Sequence, residues 1–168
     1  MLFRSQCRQS RQPERQEHGK RGIAGSVGYD GGKRLKGRKR FLLVDTLGLV
    51  WGVLVVSGRC SECEGAKQLL LKVRGQLTRL VVVWMDGGFE NRIEEWVQQH
   101  CSFCAAIVKR SEAATGWELL PKRWVVERTY GWLNRWRGLA REYDYLPQTT
   151  EAKILLAMSR LMLRRLTA

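Results

Sequence analysis

The chain has 168 residues, 44% of them hydrophobic, which is enough for one globular domain with a sizeable core and too apolar for a disordered chain. Thirty Lys and Arg against 16 Asp and Glu leave a net charge of +14, which points to a polyanionic partner, nucleic acid above all. The apolar runs 41–44 and 49–56 fall well short of the roughly 20 residues a membrane span needs. The opening MLFRSQCRQSRQPERQ lacks the apolar centre of a secretory signal, so a soluble, cytoplasmic protein without membrane contact is expected.

Residues 1–27 are rich in Arg, Gln, Ser and Gly, show no apolar periodicity and include Pro13. They read as a disordered basic arm ahead of a folded domain over 28–168. After the turn-forming Gly28-Tyr29-Asp30-Gly31-Gly32 comes a dense basic run containing Lys33, Arg34, Lys36, Arg38, Lys39 and Arg40. Like charges this close repel, and phosphate contacts would relieve the cost, so the run reads as a DNA-binding surface. A solvated loop is the other reading. Segments 41–45 and 49–56, joined at Thr46-Leu47-Gly48, pattern as an antiparallel hairpin with Asp45 as a turn residue.

Residues 61–77 predict a helix, with Leu69, Leu70 and Val73 at helical spacing and Gly75 as its stop. The β-branched run 80–86 then predicts a fully buried strand, parallel to a neighbour because a helix intervenes. An amphipathic helix follows over 89–99 with Ile93, Trp96 and Val97 inward, then a short strand over 104–109 and a loop over 110–120. Trp124, Glu127, Arg128, Gly131 and Arg135 recur at three- and four-residue spacing, with Trp132 and Trp136 one step over, as on a helix. Pro147 and Thr149-Thr150 break it, and Glu151 is available for the first turn of the next. A final amphipathic helix carries Ile154, Leu155, Met158, Leu161, Met162 and Leu166.

Two acids stand out. Asp86 closes the apolar strand at its C-terminal end, where open α/β sheets place ligands, and Gly87 and Gly88 allow close approach of a phosphate. Asp-Gly is also a common turn, so Asp86 as a plain turn or cap residue is the bland alternative. Glu127 lies among Trp124, Val125 and Val126 and needs a partner: Arg128 by a helix contact, or a divalent metal shared with Asp86. Two-metal sites that cut phosphodiesters draw carboxylates from several elements, and a mixed sheet with acids so placed is the ribonuclease-H-like layout. That layout requires a third carboxylate on the first strand, and no candidate stands out. The C-x-x-C pairs Cys60/Cys63 and Cys101/Cys104 have a zinc-ligand pattern, but their separation is long for a zinc ribbon and coincidence is the simpler reading.

The set GYDGGKRLKGRKR, LVDTLGLV, WMDGGF, IVKR, LPKRWVVERTYGWLNRWRGL and LPQTTEAKILLAMSRLMLRRL, running over about 28–166, resembles the DDE-type transposases of bacterial insertion sequences. The resemblance implies an α/β, ribonuclease-H-like mixed sheet flanked by helices. It implies metal-dependent DNA strand cleavage and transfer with Mg²⁺ or Mn²⁺, on transposon-end and target DNA, and assembly with further copies of the chain or with intact transposase. It carries Asp86 over as the second catalytic Asp and Glu127 as the catalytic Glu, both metal ligands, with Arg128 and Arg135 as DNA contacts. Phe41 stands where the family usually has His, and the family offers no zinc role for the cysteines.

Relatives carry the first catalytic Asp in a strand ending D-S-Q-S-V-K, a little upstream of GYDGGK; here residues 11–16 read RQPERQ. One codon choice for that stretch, read one base later, spells D-S-Q-S-V. The implied protein is a truncated copy whose first 25 or so residues are out of frame, whose sheet is incomplete at its N-terminal strand, and which does not cut DNA. The other readings are a non-catalytic DNA-binding remnant that modulates intact transposase, and a small zinc-stabilised nucleic-acid-binding module. If the N-terminal arm is genuine, Asp30 or Asp45 becomes the candidate third ligand.

Overall fold

A computed structural model describes the chain at residues 1–9, 27–87, 89, 92–108 and 123–167. Its elements run β1 (Leu2–Gln9), β2 (Gly28–Asp30), β3 (Leu35–Val44), β4 (Val50–Ser57), α1 (Glu62–Val73), β5 (Val82–Asp86), α2 (Arg92–His100), β6 (Cys104–Val108), α3 (Arg123–Asn134), α4 (Arg137–Ala140) and α5 (Pro147–Leu166).

The sheet is mixed. β3 pairs antiparallel with β1 on one side, from Leu2 opposite Val44 to Gln9 opposite Gly37. On the other side β2 pairs with its start and β4 with the remainder. β1 then pairs parallel with β5, and β5 parallel with β6. The hairpin and the parallel crossover strand expected from the sequence are both present. Residues 2–9, expected within a disordered arm, instead supply the strand at the centre of the sheet, so the first strand expected to be missing is there. The stretch 11–16 lies outside the described residues, as does the loop expected over 110–120.

Both faces of the sheet are covered, and strand alternation divides the side chains between them. Phe3, Phe41, Leu43, Val83 and Met85 pack against α1 and α2 through Leu69, Leu70, Ile93 and Val97. Leu2, Leu42, Val44, Val53 and Val55 pack against α3 and α5 through Val125, Val126, Tyr130 and Ile154. Each such buried side chain contributes about 1.5–3 kcal/mol. Phe41 is fully buried and its ring lies against Gly65 of α1, where an added Cβ would stand 2.1 Å from the ring. Position 41 is thus a packing position in this chain.

Local chemistry sets the element ends. Ser61 caps α1, its hydroxyl accepting from Glu64 N at 3.1 Å. Asp45 shapes the β3–β4 turn: Oδ1 accepts from Leu47 N and Leu49 N, both at 2.9 Å. Gly48 there has φ +84°, a left-handed conformation that disfavours any side chain. Glu151, expected in the first turn of the last helix, falls just past it because α5 already starts at Pro147; it accepts from Val55 N and from Lys72 Nζ, joining three elements. Two further expectations need correction. β5 alternates between buried and half-buried residues rather than being fully buried, because β6 and β1 cover its edges but α3 only partly covers one face. Of the final helix's apolar residues, Ile154 and Met158 are buried, whereas Leu155, on the outer face beside Ile154, is exposed, as are Met162 and Leu166 further along the helix.

Candidate functional site

Asp86 ends β5, with Oδ1 accepting from Gly87 N at 2.8 Å. Beside it is a small pocket lined by Leu2, Phe3, Trp84, Met85, Val108 and Val126. Glu127 follows Val126 on the exposed side of α3. Val126, the neighbour of Glu127 on α3, lines the pocket with Asp86; Glu127 itself does not.

The remaining side of this pocket belongs to β1. Leu2 and Phe3 stand level with Trp84 and Met85, so the residue level with Asp86 is the next one, Arg4. Sequence patterning gives no sign of this position, because its place beside Asp86 depends on how β1 pairs with β5.

A divalent metal of this chemistry takes several oxygen ligands from carboxylates on separate elements. Here the pocket offers one acid among apolar residues, an arginine stands at the level where a partner carboxylate is needed, and no group of three His, Cys, Asp or Glu gathers among the described residues. Among the described residues the donor set does not fit a resident metal pair. Asp30 and Asp45 do not complete it. Asp45 is committed to its turn, and Asp30 accepts from Gly32 N and Lys33 N at 3.0 and 3.2 Å while its Oδ2 faces Lys39 Nζ at 3.4 Å. Burial alone would raise the Asp30 carboxyl; the Lys33 and Gly32 hydrogen bonds and the Lys39 ammonium outweigh it and leave it below the ordinary value.

The cysteine pairs lie apart, Cys60 and Cys63 about the start of α1, Cys101 and Cys104 between α2 and β6. Burial pushes the thiols of Cys60 and Cys101 up, the former helped by Glu64 and opposed by Lys39, the latter opposed by Arg74. Among the described residues the two pairs do not gather into a group of three or more ligand-type side chains.

The predicted DNA-binding residues separate into two groups. Lys33, Arg34 and Lys36 are exposed around the β2–β3 turn. Arg38, Lys39 and Arg40 are buried, and the reading of them as phosphate contacts is corrected. Arg38 donates to Glu142 Oε1 at 3.2 Å and to the carbonyls of Asp144 and Tyr145. Arg40 donates to Glu142 Oε2 at 2.9 Å and to the carbonyls of Leu139 and Arg141. The Thr150 hydroxyl bonds the same carboxylate. Lys39 pairs with Asp30 and Glu62 and donates to Cys60 O. Arg128 is also engaged within the fold: its guanidinium stacks between Trp124 and Trp132 and donates to Leu47 O at 2.9 Å. Arg135, just past α3, is exposed.

A mixed sheet covered on both faces, with one acid at a parallel strand's C-terminal end and another on a later helix, defines a ribonuclease-H-like α/β domain. A family model described as "Transposase DDE domain" matches residues 8–162, most of the chain, and the chain belongs to that family. Its function class is DNA transposition, its partner class is DNA, and divalent metal is the family's general cofactor. Comparison with curated proteins returns no significant match, and neither does comparison with solved structures. No helix among the described residues is long and apolar enough to cross a membrane.

Proposed function

We propose that this chain is a transposase-family domain that binds DNA and does not cut it, acting in the cytoplasm as a partner or competitor of an intact transposase at insertion-sequence ends. The observation that carries the reading is the register of β1 on β5, Leu2 with Trp84 and Phe3 with Met85; continued by one residue it puts Arg4, not an acid, level with Asp86, where cleavage chemistry needs a carboxylate. Asp86 and Glu127 are then the residual pair of a site that lacks its third acid. The charge excess supports retained DNA affinity, which falls as salt rises because each phosphate neutralised releases counterions.

The test is a plasmid assay with the purified chain in Mg²⁺ and, separately, in Mn²⁺. The expected result is retardation of supercoiled DNA without nicked product. Nicking that disappears in Asp86→Asn would refute the non-cleaving reading.

A further inference from the structure

On the α5 side of the sheet, beyond the end of α3, lies an open groove. Arg135, Trp136, Arg137, Arg160, Leu161 and Arg164 form most of its lining. All four arginines are exposed, and none forms a salt bridge among the described residues. Only Arg135 among them was identified from the sequence; the others come from α4 and α5, which the fold brings together.

We infer that this groove is where the chain grips the phosphate backbone of DNA, in place of the 38–40 run. The inference rests on the DNA-binding reading above and adds the location. Several arginines held together without counter-charge repel one another, and that cost persists unless a polyanion spans them. The buried run shows the alternative, since its cations are met by Glu142, Asp30 and Glu62. The groove holds no acid among its lining residues. Its arginines also belong to a pre-arranged surface: Arg160 lies over Trp136 at 5.4 Å, and beside the groove Arg165 lies over Trp132 at 4.7 Å. Stacking of this kind limits rotamer freedom while the fork of donors remains available to phosphate. Arg160 and Arg164 are one helical turn apart, about 6 Å of rise, so both can reach neighbouring phosphates of one strand. The groove is open rather than a closed cup, which suits a continuous backbone better than a single small anion.

The experiment is fluorescence anisotropy of the full chain with a labelled duplex of arbitrary sequence, over a salt series. Three proteins are compared: the natural chain, the groove variant Arg135→Gln/Arg137→Gln/Arg160→Gln/Arg164→Gln, and the turn variant Lys33→Gln/Arg34→Gln/Lys36→Gln. The groove variant is expected to bind about tenfold or more weakly and to lose salt dependence at roughly 0.9 in slope per contact removed. The turn variant is expected to lose less on both measures. Circular dichroism checks folding, and the single exposed change Arg137→Glu serves if the fourfold variant is unstable; it too must weaken binding.

A folded groove variant that binds like the natural chain overturns the placement and leaves the DNA-binding reading standing. No duplex binding by the natural chain overturns both. Binding to vesicles of anionic lipid that duplex DNA cannot displace also overturns the inference, by assigning the groove to a membrane surface.

Discussion

Two arginine-rich regions of this molecule have similar composition and opposite fates. The run at 38–40 lies on the longest strand, closed over by the segment between α4 and α5; Arg38 and Arg40 share Glu142, donate to four backbone carbonyls and are at most 2% exposed. The groove of Arg135, Arg137, Arg160 and Arg164 has no acid in its lining and opens to solvent. Charge density along a sequence therefore does not locate a polyanion site. What decides is whether the fold supplies the counter-charge. In the buried run the arginines hold the C-terminal helices against the sheet; in the groove they stay available to an outside partner.

That contrast can be broken most severely at Glu142. Glu142→Ala leaves two buried guanidinium groups without their carboxylate and should destabilise the fold by about 3–5 kcal/mol. Denaturant unfolding measures this; a loss below 1 kcal/mol, or a fall in DNA affinity without loss of stability, would contradict the structural role of the run.

Asp30→Asn removes the carboxylate facing Lys39 and should cost roughly 1.5–3 kcal/mol at neutral pH. Because the folded carboxyl lies below the ordinary 3.8, its contribution is full above that value and is lost as pH falls through the lower folded value. The difference in melting temperature between the natural chain and Asp30→Asn should therefore shrink below about pH 3.8. A difference that grows on acidification would show that Asp30 is not held ionised in the fold.

Smaller effects follow on the surface. Arg128→Lys gives up a planar stack between Trp124 and Trp132 and alters the bond to Leu47 O, for a loss of about 1 kcal/mol by thermal melting. Arg137→Gln should leave stability within about 0.5 kcal/mol while weakening duplex binding, which separates the groove from the buried run in a single residue.

Much of the fold was legible in the sequence because its signals are local. Ser61 marks the start of α1, the hairpin is punctuated by Asp45 and Gly48, and the β-branched run ending at Asp86 reads as a parallel strand. The central strand β1 was not legible, because Leu2–Gln9 is polar and acquires its structure from pairing along β3 and beside β5. The burial of Arg38 and Arg40 was hidden for a related reason: their carboxylate is Glu142, about a hundred residues away. Of the candidate site, Asp86 and Glu127 could be read from strand end and helix face. That β1 puts position 4 level with Asp86 could not be read until the register of β1 against β5 was known.

The most direct test of the account is saturable Mn²⁺ binding, followed by electron paramagnetic resonance, in the natural chain and in Arg4→Asp. The account predicts no saturable site in the natural chain. It predicts a site in Arg4→Asp that is lost again when Asp86→Asn is added, because position 4 stands level with Asp86. Saturable binding by the natural chain that Asp86→Asn abolishes would show that a complete metal site forms without a carboxylate on β1, and would contradict the account.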